Sequence, residues 1–123
     1  MLEFAEVAAF VASTDLARSR RFYEGALGLP VERETRNAST LRAGGTIVRL
    51  TLVEQVDPAS HPVLGWTVRN IEDTVRTLMT HGLAFERFDD LEQDGLGIWE
   101  APDGARSAWF KDPDGNILAL TQA

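Results

Sequence analysis

Two stretches of this chain, each about half its length, repeat the same order of predicted elements. Each begins with an apolar strand and continues with an amphipathic helix that ends at a glycine, before further strands. The segments after the two helices also match, since Gly28-Leu29-Pro30-Val31-Glu32 resembles Gly82-Leu83-Ala84-Phe85-Glu86. We therefore expect one domain over residues 1–123, with module 1 at about 1–54, module 2 at about 63–123 and a polar linker at 55–62.

The expected elements define an α+β chain. The first half is predicted to hold a helix over Asp15–Leu27 and strands at Val7–Ala12, Val31–Thr35, Thr40–Arg42 and Thr46–Val53. The second half is predicted to hold a helix over Ile71–His81 and strands at Val63–Arg69, Ala84–Phe88, Leu96–Glu100, Ser107–Lys111 and Ile117–Thr121. Thr14 or Asp15 caps the first helix and Asn70 caps the second, while Gly28 and Gly82 supply the left-handed ends.

The strands alternate between an apolar face and a mixed face. The apolar set, expected under the helices, is Val7, Ala9, Val11, Val48, Leu50, Leu52, Leu64, Trp66, Val68, Leu118 and Leu120. The other face carries Ala8, Phe10, Ala12, Ile47, Arg49, Thr51, Val63, Gly65, Thr67, Ile117, Ala119 and Thr121. A mixed face of this kind suits a ligand-facing or solvent-facing surface.

Two turns of the same chemistry predict the strand register near the end of the chain. Pro113, Asp114 and Gly115 form a three-residue loop that sets Asp112 opposite Asn116, so that Trp109 faces Ala119 and Phe110 faces Leu118. Closure of Ala101–Ala105 in the same way sets Trp99 opposite Ser107, and Glu100 opposite Arg106 as a weak cross-strand ion pair.

Composition excludes several classes of function. A formal net charge of −7 argues against nucleic-acid binding, and the absence of cysteine removes disulfides and thiolate metal sites. No apolar run reaches the roughly 20 residues that span a bilayer. The first residues lack the pattern of a signal peptide, so we expect a cytoplasmic protein with no membrane partner.

The motifs resemble those of a known family. Asp15-Leu16-Ala17-Arg18-Ser19, Phe22-Tyr23, Leu27-Gly28-Leu29 and Phe110-Lys111-Asp112-Pro113-Asp114-Gly115-Asn116 are similar to the vicinal oxygen chelate superfamily, which includes glyoxalase I, bleomycin-resistance proteins and extradiol dioxygenases. The resemblance implies two tandem βαβββ modules whose mixed sheets curl into a cup, in a chain that usually forms a homodimer.

The resemblance also implies a metal site, and this chain departs from it. Enzymes of the superfamily hold a divalent metal with one His or Glu at each of four strand positions, which match Ala8, Arg49, Val63 and Ala119 here. None is an ordinary ligand, and Arg49 would place a cation where the metal belongs. His61 and His81 are interpreted as structural or exposed. We therefore expect no metal and no cofactor.

The mixed face then predicts a small-molecule site with aromatic walls. Its candidate ligand-binding residues are Phe10, Arg49, Thr51, Thr67, Trp99, Ser107, Trp109 and Thr121. Arg49 either clamps a carboxylate or phosphate of the ligand, or pairs with an acidic neighbour such as Glu100 or a residue of a partner subunit.

Three functions remain open from the sequence. The first is a metal-free binding protein that sequesters an antibiotic or another flat aromatic compound. The second is a metal-dependent lyase, isomerase or dioxygenase with displaced ligands. The third is a metal-free acid–base enzyme that uses a carboxylate near a strand end, namely Glu54, Asp94 or Glu100.

Overall fold

The chain divides into two compact units, each built on one four-stranded mixed sheet. The computed structural model describes all residues 1–123, and the units are Met1–Asp57 and Pro58–Ala123. The boundary lies inside the predicted linker at 55–62. The α+β class expected from the sequence is confirmed.

In the first unit the helix follows the first strand and packs on the two central strands of the sheet, which come later in the chain. The strands are β1 (Ala8–Ser13), β2 (Val31–Glu34), β3 (Ala38–Ala43) and β4 (Thr46–Leu52), in the sheet order β1-β4-β3-β2. Strand β1 runs parallel to β4, and the other pairs are antiparallel. Helix α1 (Leu16–Arg20) continues directly as a π-helix over Arg21–Ala26.

The start of α1 is held by short polar side chains. The Asp15 carboxylate accepts a hydrogen bond from the Arg18 amide at 3.0 Å, so Asp15 rather than Thr14 is the cap. The hydroxyls of Ser13 and Ser19 lie 2.6 Å apart, both buried, and tie the end of β1 to the helix. Burial of both hydroxyls is tolerated because each has a partner.

The second half of the predicted helix Asp15–Leu27 is wider than an α-helix. The Leu27 amide donates to the Phe22 carbonyl at 3.0 Å, which is a bond across five residues rather than four. One π-helical turn shifts the spacing of the apolar residues by about one position. That shift is smaller than the irregularity normally seen in the apolar spacing of amphipathic helices, so the sequence pattern does not reveal it. The predicted extent therefore agrees with the structure, while the helix type was missed.

The second unit repeats this order of elements, but the strand that follows its helix, at the sheet edge, is only two residues long. Its elements are β5 (Leu64–Thr67), α2 (Ile71–Thr80), β6 (Trp99–Glu100), β7 (Arg106–Lys111) and β8 (Ile117–Gln122), with sheet order β5-β8-β7-β6. Asn70 caps α2 by accepting from the Asp73 amide at 3.0 Å, as predicted. The Gln122 side chain also accepts from the Ile71 amide at 2.7 Å, which joins α2 to the end of β8.

The prediction of a strand at Ala84–Phe88 was wrong, and the strand predicted at Leu96–Glu100 is limited to β6, Trp99–Glu100. Phe85 makes a single bridge to Phe110, and the only further ladder-like bond runs from the Glu86 amide to the Trp109 carbonyl at 2.8 Å. The Gln93 side chain makes hydrogen bonds to this segment that a neighbouring strand would otherwise make. It accepts from the Phe88 amide and donates to the carbonyls of Glu86 and Gly97, at 2.7–2.9 Å. A side-chain amide thus satisfies backbone groups that a strand ladder would have paired.

Both predicted hairpin registers are confirmed. Trp109 pairs with Ala119, Phe110 with Leu118, and Trp99 with Ser107. The Gly115 amide donates to the Asp112 carbonyl at 3.0 Å, and Gly115 has φ of 87°, which is the left-handed conformation that this loop requires.

The predicted ion pair between Glu100 and Arg106 does not form. Arg106 instead donates to Glu72, in the first turn of α2, at 2.8 Å and lies 3.9 Å from Asp94. The hydrogen bond to Glu72 raises the pKa of the Arg106 guanidinium. Helix α2 covers this face of the sheet, so its carboxylate offers a better-placed partner than the exposed cross-strand neighbour.

The cores lie where the helices cover the sheets. The buried apolar side chains are Val11, Tyr23, Leu41, Val48 and Leu50 in the first unit, and Ile71, Val75, Ile98, Ala108, Phe110, Leu118 and Leu120 in the second. Trp66, assigned to the same face by parity, stacks on Phe110 with ring centroids 6.4 Å apart. Val7 and Leu52 were expected in the core but are exposed, because they lie beyond or at the end of their strands. None of the helices has the length and apolar character that a membrane crossing requires.

Candidate functional site

Four predicted site residues of the second unit lie in one row across its sheet. Thr67 pairs with Thr121, Thr121 with Ser107, and Ser107 with Trp99. Side chains at directly opposed positions of neighbouring strands point to the same face. The structure therefore brings three hydroxyls and one indole together on the face away from α2.

The next row on this face is small at one end and aromatic at the other. Gly65 pairs with Ala119, and Ala119 with Trp109. A Cβ atom on Gly65 would lie 3.1 Å from the Ala119 carbonyl oxygen, so a larger residue would require a small shift of this neighbour. Beside Trp109 this row therefore presents only a methyl group and bare backbone.

Trp109 lies at the centre of an aromatic cluster. Its ring centroid is 5.5 Å from that of Phe88, in an edge-to-face arrangement, and 6.2 Å from that of Trp99. Such contacts fix ring orientations without covering every face. Both predicted tryptophans are therefore held in place, and Trp109 remains part of the surface.

A groove of about 250 Å³ lies against this cluster. Its walls are mainly apolar, with three polar residues, and the lining consists of Ser60, His61, Pro62, Phe88, Asp90, Leu91, Trp109 and Ile117. Sequence reasoning missed Phe88, Asp90 and Leu91, because it placed Phe88 at the end of a strand and Leu91 in a connection. Their only signal is the occurrence of an aromatic and an aliphatic residue in a segment of otherwise acidic residues.

His61 is exposed, as expected, yet it belongs to this groove. Its Nδ1 lies 3.1 Å from the Pro62 carbonyl oxygen. His81 at the end of α2 instead has its Nδ1 2.9 Å from the Thr77 carbonyl oxygen and is exposed on the helix.

The remaining predicted site residues belong to the sheet of the first unit. Phe10 pairs with Arg49, whose guanidinium carbon lies 5.3 Å from the Phe10 ring centroid. Arg49 pairs in turn with Thr40, and Thr40 with Arg33. Thr51 lies one row further, opposite Ala38. Phe10 is 65% exposed, so this face is open along β1.

A second groove, of about 280 Å³, lies on this face of the first unit. It is lined by Arg33, Thr35, Ala38, Thr40 and Arg49. The sequence pointed to Arg49 and missed Arg33 and Thr40, since their side-chain directions depend on the pairing of β2 with β3.

The residues at the four metal-ligand positions do not fit a divalent cation. Ala8, Val63 and Ala119 end in hydrocarbon and offer no donor atom, and Arg49 brings a positive charge. No group of three or more His, Asp or Glu side chains that could hold a metal occurs elsewhere in the structure.

Comparison with known proteins identifies the family. A family model described as the Glyoxalase/Bleomycin resistance protein/Dioxygenase superfamily matches residues 4–120. The chain belongs to this superfamily. The resemblance inferred from the Asp15–Ser19 and Phe110–Asn116 motifs is thereby confirmed. No curated protein sequence matches this superfamily member significantly.

Solved structures share the fold of this glyoxalase-superfamily chain. A superfamily member from Sphaerobacter thermophilus DSM 20745 is 22% identical, with a TM-score of 0.75 and 100% of each chain covered. A lactoylglutathione lyase from Agrobacterium tumefaciens is 14% identical, with a TM-score of 0.76 over 100% of this chain and 96% of that one. A glyoxalase/bleomycin resistance protein/dioxygenase from Alicyclobacillus acidocaldarius is 19% identical, with a TM-score of 0.75 over 97% and 91%. At these identities the likeness concerns the fold alone.

Proposed function

We propose that this superfamily member is a small-molecule-binding protein that holds a flat aromatic compound, such as an antibiotic, without a metal. The observation that carries the proposal is the groove beside Trp109, whose walls also include Phe88, Leu91 and Pro62. A concave, mainly apolar site with a few polar groups is typical of small-molecule binding. An aromatic ring of the ligand would stack on Trp109.

The hydroxyl row lies outside the groove, beyond Ala119 on the same sheet face, where it would orient a ligand that extends past Trp109. Thr67, Ser107 and Thr121 present hydroxyls that both donate and accept hydrogen bonds. Asp90 is the only carboxylate that lines the groove, and the chain carries a net charge of −7. Both features favour a ligand with a positively charged substituent.

Metal independence is part of the proposal. The four strand positions that hold metal in related enzymes carry Ala8, Arg49, Val63 and Ala119, whose side chains offer no suitable donor set. A ligand bound through stacking and hydroxyl groups needs no Lewis acid. Homodimer formation and a cytoplasmic location stay predictions from the resemblance and the sequence.

Tryptophan fluorescence tests the proposal, because all three tryptophans lie in the second unit. Aromatic antibiotics and aromatic acids are first screened by thermal shift, and a compound that raises Tm is then titrated. We expect quenching that persists in excess chelator. Trp109→Ala should weaken binding by about tenfold or more, the usual effect of removing a central aromatic contact.

The matched control is Trp66→Phe, which alters the tryptophan that stacks on Phe110 on the helix-covered face. We expect it to leave the affinity within about twofold, since distant sites act independently. Equal affinity of Trp109→Ala and the parent protein would contradict stacking in the groove. Loss of binding on addition of chelator would contradict metal independence.

One observation favours a second candidate, metal-free acid–base chemistry. His61 and Asp90 both line the groove, so two groups able to move a proton face the same bound molecule. The carboxylates suggested by the sequence do not line this groove; they are Glu54, Asp94 and Glu100. The Asp94 carboxylate accepts hydrogen bonds from the amides of Leu96 and Ile98, both at 2.9 Å. Slow conversion of a bound compound that His61→Gln abolishes, without loss of binding, would distinguish an enzyme from a sequestering protein.

A further inference from the structure

We propose that the sheet of the first unit carries an oxyanion-binding groove between Arg33 and Arg49. The ligand class is a doubly charged oxyanion, either a phosphoryl group or a pair of carboxylates. This inference rests on the first unit alone and does not depend on the aromatic groove of the second unit.

The pairing of strands places the two arginines on either side of a threonine. Arg33 on β2 pairs with Thr40 on β3, and Thr40 pairs with Arg49 on β4. Neighbouring strands are about 4.8 Å apart, so the two arginine Cα atoms are separated by about 10 Å. Arginine side chains are long enough to converge over that distance, and both line the same groove of about 280 Å³.

A β-bulge is what turns Arg33 toward this groove. Val31 pairs with Leu41, yet Arg33 pairs with Thr40, so the register of β2 against β3 shifts between them. Without the shift, Arg33 would face Ser39, which is buried on the helix-covered side. Bulges commonly redirect a side chain in this way.

The two arginines lack the carboxylate partners that neighbouring arginines have. Arg42, on the same strand as Thr40, is paired with Glu32 and Glu6, and Arg20 with Glu24 and Glu34. The hydrogen bonds from Arg42 to Glu32 and Glu6 raise the pKa of the Arg42 guanidinium, and the bond to Glu32 is the larger cause. Arg33 and Arg49 form no ion pair with a carboxylate of the first unit.

The chemistry of the groove lining fits an anion. The lining contains two guanidinium groups, two threonines and an alanine, with no acidic residue, in a chain whose acidic residues outnumber its basic ones. Arg49 lies over the Phe10 ring, and this contact orients the planar guanidinium group. The N–H edge of the guanidinium can then bind an oxyanion through a pair of hydrogen bonds. Thr40 stands between the two forks as a further donor.

A titration followed by ¹H–¹⁵N NMR tests the proposal. Sodium phosphate and sodium malonate are added separately at constant ionic strength, with chloride as the balancing anion. We expect saturable shifts of amides in β2, β3 and β4 with one or both anions. Phosphate-selective shifts identify a phosphoryl ligand, and malonate-selective shifts identify a dicarboxylate, so either result supports an oxyanion site.

The variants Arg33→Gln and Arg49→Gln should each weaken the tighter anion by about tenfold, the effect of losing a charge-assisted contact. Arg76→Gln is the matched control, since it removes the same charge from an exposed position on α2. We expect it to stay within about twofold of the parent protein. Linear, unsaturated shifts, or equal weakening by all three variants, would overturn the proposal, because both indicate nonspecific charge.

Failure of this site can be told apart from failure of the aromatic groove. The three tryptophans all belong to the second unit, so tryptophan quenching reports the aromatic ligand there. The NMR shifts of β2–β4 report the first unit. Each proposal therefore has its own readout.

Discussion

Single buried polar residues hold the last hairpin together. Asp112 and Asn116 are each only 6% exposed. One Asp112 carboxylate oxygen accepts from the amides of Asp114 and Asn116, and the other accepts from the Asn116 side-chain amide, all at 2.9–3.0 Å. Hydrogen bonds to a buried carboxylate are stronger than average, so this residue stabilises the turn that sets the β7–β8 register.

Substitution of this aspartate has a predictable cost. We expect Asp112→Ala to lower the free energy of unfolding by about 2–3 kcal/mol, because buried donors lose their acceptor. Urea unfolding measured by circular dichroism gives this difference.

The other hairpin offers the control for that measurement. Asp103 is exposed and accepts a single amide hydrogen bond, from Ala105 at 3.0 Å. Asp103→Ala should therefore cost about 0.5 kcal/mol, as is usual for a surface residue. Similar costs for the two variants would show that burial of Asp112 is not what makes it important.

At the scale of elements, the segment after α2 behaves unlike its counterpart in the first unit. There, β2 pairs with β3 as a strand of four residues. In the second unit, residues 84–88 make one bridge, and Gln93 supplies the missing hydrogen bonds to Glu86, Phe88 and Gly97. The repeat in sequence at Gly28 and Gly82 therefore predicts a similar path but not similar pairing.

Removal of the Gln93 amide should loosen this segment locally. In Gln93→Ala we expect hydrogen exchange of the Phe88 amide to accelerate by about tenfold or more, since its acceptor is lost. Glu92→Ala is the control, because Glu92 is exposed and adjacent. Unchanged exchange at Phe88 would mean that the loop, rather than Gln93, protects this amide.

The elements differ in how well the sequence predicts them. Helix caps and three-residue turns depend on contacts within four residues, so Asn70 and Gly115 were assigned correctly and the first cap was narrowed to Thr14 or Asp15. The π-helix at Arg21–Ala26 and the Gln93 bridge depend on packing against strands distant in sequence. No local pattern records them.

For the whole molecule, function depends on which side chains can bind a metal or move a proton, rather than on the fold. The superfamily includes glyoxalases, bleomycin resistance proteins and dioxygenases, and its fold is shared with a lactoylglutathione lyase at 14% identity. Fold alone does not assign an activity. An activity of this chain depends on the chemistry of its own side chains, above all those at the four strand positions and its two histidines, His61 and His81.

The expected metal content follows from the side chains at these four strand positions. We expect protein expressed in medium supplemented with zinc, nickel and manganese, then desalted, to contain less than about 0.1 equivalent of divalent metal, because neutral or cationic side chains provide no chelating site. Elemental analysis by mass spectrometry measures it. A stoichiometric metal would favour the alternative of a metal-dependent enzyme with displaced ligands.

The candidate site could be predicted in part. Strand parity and the turn register placed Thr67, Thr121, Ser107, Trp99 and Trp109 on one face, because alternation along a strand is a local property. The groove also needs Phe88 and Leu91, which reach it from a connection whose path is set by Gln93. Such a path cannot be deduced from periodicity.

The amino-acid sequence alone was sufficient for the superfamily, the two hairpin registers, the cap of α2 and the absence of ligand-type residues at Ala8, Arg49, Val63 and Ala119. All of these depend on residue chemistry or on neighbours within a few positions. Folding in three dimensions decided which distant side chains meet: Arg106 with Glu72, and Arg33 with the Thr40 row. Sheet order and a one-residue bulge set those encounters, and both arise from packing across the whole sheet rather than from any short segment.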